Sequence, residues 1–423
     1  MDKLLIEGAT PLTGNIEISG SKNATLPILF STLLTEKKCT LKNVPDLMDV
    51  HTSIKLLNQL GKFLNYDSQT HTVEVESSSP HTFEAPYDLV RTMRASILVL
   101  GPMLAHYGSA KVSLPGGCSI GTRPVDLHLE ALKKLGAKIK FEEGYIHAQA
   151  KKLKGALIHF KNVSVGATEN TLMAATLAEG MTTISNAACE PEIVDLALFL
   201  KKIGAKIEGE GTPTILIYGP TNFQSANHTI IPDRIEAGTY LMAGAITGGN
   251  ITLSNGCPEH VQATLQALKD CGFVVSTKNK TIQLKSEGPP SALSVSTAPY
   301  PGFATDMQAQ LMALLSTGVG RSQILESIFE NRFMHVPELL RLGADIQLQG
   351  NTAFINGLSS TGKNFSGATV MATDLRASAC LVLAGLAASG KTTVRRIYHL
   401  DRGYEKLELK LQALGARVWR EKE

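Results

Sequence analysis

Cations with no helix-face rationale recur along this chain, in company with one aspartate and one loop cysteine. Lys22 stands beside Asn23 in ISGSKNATLP, Arg94 lies in RTMRAS, Asp306 in YPGFATDMQAQ and Arg376 in ATDLRAS. A second series falls in loops: Cys118 and Arg123 in SLPGGCSIGTRPVDLH, Arg332 in FENRFMHVPEL and Arg402 in YHLDRGYE. A guanidinium meets a carboxylate or phosphate through two parallel N–H donors, so arginines gathered on one ligand describe a polyanion site. Taken singly, each is equally well a solvated surface cation; recurrence at equivalent places favours the site. PGGCSIGTRP is too rich in glycine for an interior strand and predicts a mobile loop. A thiol beside cations there would be a nucleophile or proton donor, where an isolated one would be inert.

The elements that must position these residues repeat. Amphipathic helices ending in Leu-Gly-Ala or a variant recur at Gly61, Gly136, Gly204, Gly272, Gly343 and Gly415, separated by 75, 68, 68, 71 and 72 residues. Glycine suits the left-handed position that ends a helix. Upstream of each lies a helix of small and apolar residues, then a short turn and a β-branched strand, as in ENTLMAATLAEGMTTISNA and IEAGTYLMAGAITGGNITLSN. Six strand–helix–strand–helix–strand units of about 70 residues follow from this. Three plus three gives two similar domains, with a break near residues 225–233 in QSANHTIIPDR. Periodicity leaves open whether the N-terminal strand, residues 1–20, crosses over to complete the last domain. The cations fall at two places in each unit, the start of the first helix and the loop before the second, which are where anion sites form.

GLAASGKT, residues 385–392, has the spelling of a phosphate-binding P-loop. A P-loop needs a strand running into the glycines and a helix leaving them. Here the glycines end a helix and TTVRRIYHL follows as a strand, so the order is inverted and Lys391 reads as a solvated turn lysine.

Bulk properties narrow the class. Of 423 residues, 43% are apolar and 19% charged, enough to bury large cores. A net charge of +3 and the lack of a long basic tract argue against nucleic acid. Six scattered cysteines with no C-x-x-C pair argue against zinc and a disulfide framework. No secretory leader and no long apolar run are evident in the sequence, so a cytoplasmic protein without membrane contact is expected. No cofactor, metal or obligate protein partner is indicated.

The same stretches resemble, in order and over essentially the whole chain, the motifs of the UDP-N-acetylglucosamine 1-carboxyvinyltransferase family of enolpyruvyl transferases. SGSKNATLPIL, APYDLVRTMRASI, SLPGGCSIGTRPVDLH, VSVGAT, EPEIVD, PDRIEAGT, TDMQAQ, FENRFMHVPEL, MATDLRAS and RIYHLDRGYE carry the resemblance. It implies an α/β fold of two similar inside-out α/β barrel domains, each of three βαβαββ repeats. The first domain would span 22–231 and carry the Cys118 loop; the second would be discontinuous, 1–21 plus 232–423. It also implies the reaction: transfer of the enolpyruvyl group of phosphoenolpyruvate to the 3′-hydroxyl of UDP-N-acetylglucosamine, opening peptidoglycan precursor synthesis and so serving cell-wall biogenesis.

Residue by residue, Lys22, Arg123 and Arg402 match positions that bind phosphoenolpyruvate, with Asn23 beside Lys22. Cys118 matches the proton donor that also forms a covalent adduct and is alkylated by the epoxide antibiotic fosfomycin. Asp306 matches the residue near the sugar 3′-hydroxyl, as general base or as an orienting group. Arg123, Pro124, Val125, Asp126 and Leu127 match the uridine-binding run, and Ser164, Val165 and Gly166 the diphosphate loop. Arg94, rather than Arg91, together with Ile328, Arg332 and Arg376, matches further lining positions. Asn162 stands where some members carry a diphosphate-binding lysine, with Lys161 one residue earlier, and Cys189 stands where arginine or lysine is common. The sister enolpyruvyl transferase of the shikimate route would not be expected to carry PGGCSIGTRPVDLH. A catalytically silent sugar-nucleotide-binding paralogue is opposed by the intact Lys22, Cys118, Asp306, Arg332 and Arg402.

Overall fold

The computed structural model describes residues 2–78, 82–114 and 125–423. They form two compact units: residues 20–114 with 125–231, and residues 2–19 with Pro232–Glu423. Each unit has its own apolar core and three four-stranded sheets.

The unit containing residues 20–231 holds α1 (Lys22–Ser31), α2 (Met48–Gln59), α3 (Tyr87–Val90), α4 (Leu100–Tyr107), α5 (Asp126–Lys134), α6 (Val165–Ala175) and α7 (Pro191–Lys202). The other holds α8 (Arg234–Ile246), α9 (Gln262–Asp270), α10 (Gln308–Ser316), α11 (Val336–Arg341), α12 (Leu375–Ala387) and α13 (Leu407–Ala413). The first helix of each repeat is the interior one. In α8, α10 and α12 almost every residue is buried, and the three pack on one another in pairs. Helices apolar on all sides have no face to give to water, so they occupy the centre. The second helices, such as α5 and α9, bury one face only.

All six repeat glycines adopt the left-handed conformation, with φ from 90° to 115°. In α5, Gly136 N–H donates to Lys133 C=O and Ala137 N–H to Leu132 C=O, closing the last turn. Each sheet pairs one parallel edge strand with an antiparallel set. Two of these edges are supplied from far along the chain. Ala226–Thr229 runs parallel to Cys39–Lys42, and Thr13–Glu17 parallel to Asn250–Ser254. Asp2–Glu7 lies between Lys391–Arg395 and Arg417–Lys422, antiparallel to both, and buries Leu4 and Ile6 completely. The architecture is that of two similar inside-out α/β barrels, three βαβαββ repeats in each.

Lys391 lies where helix α12 has ended and the strand Lys391–Arg395 begins. Its ammonium sits 5.4 Å from the centre of the Trp419 ring. This is the helix–turn–strand order, and no phosphate cradle forms from it.

Candidate functional site

Interior helices begin at the sequence-predicted residues, and their caps differ between units. Ser21 caps α1 and Ser164 caps α6, each hydroxyl accepting a backbone N–H of the first turn at 3.3 Å. Asp233 caps α8 and Asp374 caps α12, each carboxylate accepting two first-turn N–H groups. A neutral serine leaves the positive end of the helix dipole available to an anion, whereas aspartate supplies its own.

In the unit containing residues 20–231, Lys22 and Asn23 open α1. Lys22 Nζ lies 2.7 Å from Oδ2 of the nearly buried Asp49, in the first turn of α2. Arg94 opens the 3-10 segment Arg94–Val99. Val125 and Asp126–Leu127 form the N-cap and first turn of α5, and Ser164, Val165 and Gly166 those of α6. Asn162 and Lys161 are exposed in the loop before Ser164. Cys118, Arg123 and Pro124, expected here from the sequence, lie outside the described residues. The departure at Cys189 is chemically quiet: burial, then Glu190, push its thiol pKa up.

Two residues of this unit that the sequence reading did not single out join the group. His128, on α5, is 7% exposed and its ring faces the first turn of α6. A Cβ on Gly166 would come within 3.1 Å of His128 Cε1 and 3.3 Å of Nε2, so a side chain there would press the ring back by a few tenths of an ångström. Burial, then the positive charge of Arg94, lowers the His128 pKa to about 4, against the opposing pull of Asp126. Asn170, on α6 and fully buried, bonds to His128 Nδ1 at 3.1 Å.

In the unit containing Pro232–Glu423, three predicted residues meet directly. Asp306, in the 3-10 turn Thr305–Met307, accepts from Arg332 Nη2 at Oδ1 (2.6 Å) and from Arg376 Nη2 at Oδ2 (2.9 Å). Arg332 and Arg376 are almost fully buried, while the Asp306 side chain keeps 27% exposure. Burial works against the Arg376 charge, but Asp306, Tyr404 and Asp233 together more than offset it and the guanidinium pKa is raised. Arg376 Nη1 also donates to the Tyr404 hydroxyl, which in turn meets Thr239 Oγ1 at 2.9 Å and Gln310 Nε2 at 3.3 Å. Arg402 ends the 3-10 segment Ile397–Arg402 and is half-buried.

Buried Glu326 shapes the loop that carries Ile328 and Arg332. Its Oε1 accepts from Thr297 Oγ1 and from the backbone N–H groups of Ile328 and Phe329; its Oε2 accepts from Thr305 Oγ1 beside Asp306. One carboxylate thus ties the loop to the Asp306 turn. It sits at a strand end, in ILES, where a lone glutamate carries no sequence signal. His128 and Tyr404, by contrast, lie inside quoted motifs, PVDLH and RGYE.

Among the described residues no cluster of three or more His, Cys, Asp or Glu is placed to hold a metal, and no helix is long and apolar enough to cross a membrane.

The family profile of EPSP synthase (3-phosphoshikimate 1-carboxyvinyltransferase) matches residues 6–411. Among solved structures, the enolpyruvyl transferase NikO from Streptomyces tendae superposes with a TM-score of 0.89 at 25% identity, covering 99% of this chain and 98% of that one. EPSP synthase from Acinetobacter baumannii superposes with a TM-score of 0.78 at 16% identity over the full length of both, which speaks to the fold. The chain belongs to this enolpyruvyl transferase family and, within it, to the UDP-N-acetylglucosamine 1-carboxyvinyltransferases. Proteins of that name from Nitratidesulfovibrio vulgaris (strain DP4) and Myxococcus xanthus (strain DK1622) are 55% and 53% identical to it, over all of both chains.

Proposed function

We infer that the protein transfers the enolpyruvyl group of phosphoenolpyruvate to the 3′-hydroxyl of UDP-N-acetylglucosamine and releases phosphate. The sugar oxygen bonds to C2 while C3 takes a proton, giving a tetrahedral ketal. The C2–O bond to phosphate then breaks and C3 gives up a proton, restoring the double bond. The observation that supports this reading best is the Asp306 carboxylate. It is fixed by two near-buried guanidiniums, one on each oxygen, and its side chain keeps 27% exposure. In this reading Asp306 orients the 3′-hydroxyl and takes its proton as the C–O bond forms. The two guanidiniums moderate its basicity and hold its direction.

Lys22, Arg123 and Arg402, with Asn23, hold the phosphate and carboxylate of phosphoenolpyruvate and stabilise charge that develops on them. Cys118 protonates C3 and is the thiol that fosfomycin would alkylate. Val125–Leu127, with Arg123 and Pro124, hold uridine; Ser164, Val165 and Gly166 present the start of α6 to the diphosphate. Arg94 and Ile328 complete the contacts, and Asn162 stands in for the lysine of other members without its charge. In this reading the reaction is the first committed step of peptidoglycan precursor synthesis and takes place in the cytoplasm.

Incubation of the protein with both substrates, followed by mass spectrometry of the nucleotide, tests the reading. It predicts a UDP-sugar heavier by one enolpyruvyl group. An unchanged UDP-N-acetylglucosamine, or transfer to shikimate 3-phosphate instead, would overturn it.

A further inference from the structure

The geometry assigns to Asn170 a positioning role: it holds His128 as the neutral tautomer whose proton is on Nε2, aimed at the start of α6. The proposal rests on the reading of that helix start as the diphosphate subsite.

Asn170 Oδ1 lies 2.6 Å from Gly101 N, a backbone N–H that can only donate, so Oδ1 is the acceptor end of the amide. Asn170 Nδ2 lies 3.2 Å from Ile97 O, a carbonyl that can only accept, so Nδ2 is the donor end. Two backbone groups of fixed polarity therefore settle the amide orientation. The second Nδ2 hydrogen then points at His128 Nδ1, 3.1 Å away. A ring nitrogen receiving a hydrogen bond carries no proton, so in the neutral ring the proton is on Nε2. A doubly protonated ring would set one N–H against another across this contact.

Nε2 and Cε1 form the ring edge that faces Gly166. No described residue is placed to accept from Nε2, although the side chain is more than nine-tenths buried. An N–H donor is thus delivered beside the free N–H groups of a serine-capped helix, all of one polarity and suited to phosphate oxygens. The charged groups that act on the ring are Arg94, from the 3-10 segment Arg94–Val99, and Asp126, from its own helix. Ile97 belongs to the same segment as Arg94, so Asn170 ties the segment, α4 and α5 to one side chain.

Two measurements test this. The first uses full-length protein with 15N-histidine, the His128 signals assigned by their loss in His128→Gln. At neutral pH, Nε2 is expected to be protonated and Nδ1 bare, with the Nε2–H resonance moving when UDP is added. A proton on Nδ1, or an Nε2–H indifferent to UDP, overturns the proposal. The second compares the pH dependence of KM for UDP-N-acetylglucosamine in wild type and Asn170→Asp. Aspartate accepts from Nδ1–H, so the neutral ring would turn a bare Nε2 toward the nucleotide. KM in the variant is expected to rise about tenfold as the ring loses its second proton, with kcat changing less and wild type flat over the same range. A variant profile parallel to wild type overturns the proposal. A wild type that binds neither UDP nor UDP-N-acetylglucosamine overturns the subsite reading, and the proposal with it; this is a distinct result from a bound nucleotide with the proton on Nδ1.

Discussion

At Asp306 two guanidiniums with little access to water share one carboxylate. Removing the carboxylate leaves two buried charges with one fewer partner, which costs about 3 kcal/mol when a buried pair is broken. Asp306→Asn keeps the shape and is expected to lower kcat by roughly 10²–10⁴, the usual contribution of a positioned acid or base, with KM for phosphoenolpyruvate moving less. Steady-state kinetics check this; a kcat within threefold of wild type would reduce Asp306 to a structural ion-pair partner. His335 makes a separate prediction in the same motif. It is fully buried, and burial lowers its pKa from 6.5 to about 4, with Arg332 adding to the effect and Asp374 opposing it. The folded-state value lies below the unfolded one, so the unfolded chain binds more protons between them. Stability is therefore full above pH 6.5 and falls as pH drops from 6.5 toward 4, by up to about 3 kcal/mol for this group. Thermal unfolding against pH should show a shallower acid limb in His335→Gln; an identical limb would contradict the assignment. Arg332, Arg376 and Asp306 were legible because charge at repeat-equivalent positions has no helix-face explanation. Glu326 and Asn170 were not, because their importance lies in which donors reach them, and spacing carries no such information.

At the scale of elements, the repeat glycines and small-residue helices were legible as types, since a left-handed helix end and a tight helix crossing each demand a specific residue. What could not be read is which glycine meets which partner. Gly101 is the clearest case: a Cβ there would fall 2.2 Å from Asn170 Oδ1 and 2.5 Å from Asn170 O. Gly101→Ala must push α4 away from α6 or expel the asparagine. A loss of about 1–3 kcal/mol in denaturant unfolding is expected, from overpacking alone. Stability within 0.5 kcal/mol of wild type, an ordinary surface effect, would show that the crossing is looser than described. Lys391 belongs to the opposite category. It closes a turn after α12 and faces Trp419, so Lys391→Ala should leave both kcat and KM within about twofold, as surface changes away from such features generally do. Loss of activity would revive the phosphate-loop reading of GLAASGKT.

On the scale of the whole molecule, the ends of the chain matter to the sheets. Asp2–Glu7 is the shared neighbour of Lys391–Arg395 and Arg417–Lys422, and without it both strands lose a full set of ladder bonds and the buried Leu4 and Ile6. Deleting residues 2–7 should therefore make Pro232–Glu423 susceptible to limited proteolysis; unchanged protease resistance would mean that the strand is dispensable. Six repeats could be counted from glycine spacing, but the strand exchanges that complete the first repeat of each unit could not. They depend on pairing between residues about 190 to 240 apart, as in Ala226–Thr229 with Cys39–Lys42, and local periodicity is blind to such pairing. Net charge and composition excluded other classes without identifying this one; the ordered motifs did that.

In the transferase reaction phosphate leaves phosphoenolpyruvate only as its enolpyruvyl group is taken by the sugar nucleotide. The most direct test is phosphate release from phosphoenolpyruvate, with and without UDP-N-acetylglucosamine, in wild type and Cys118→Ala. The account predicts one phosphate per enolpyruvyl product, none without the sugar nucleotide, and collapse of release in the variant. Release from phosphoenolpyruvate alone, or none with both substrates present, would contradict it.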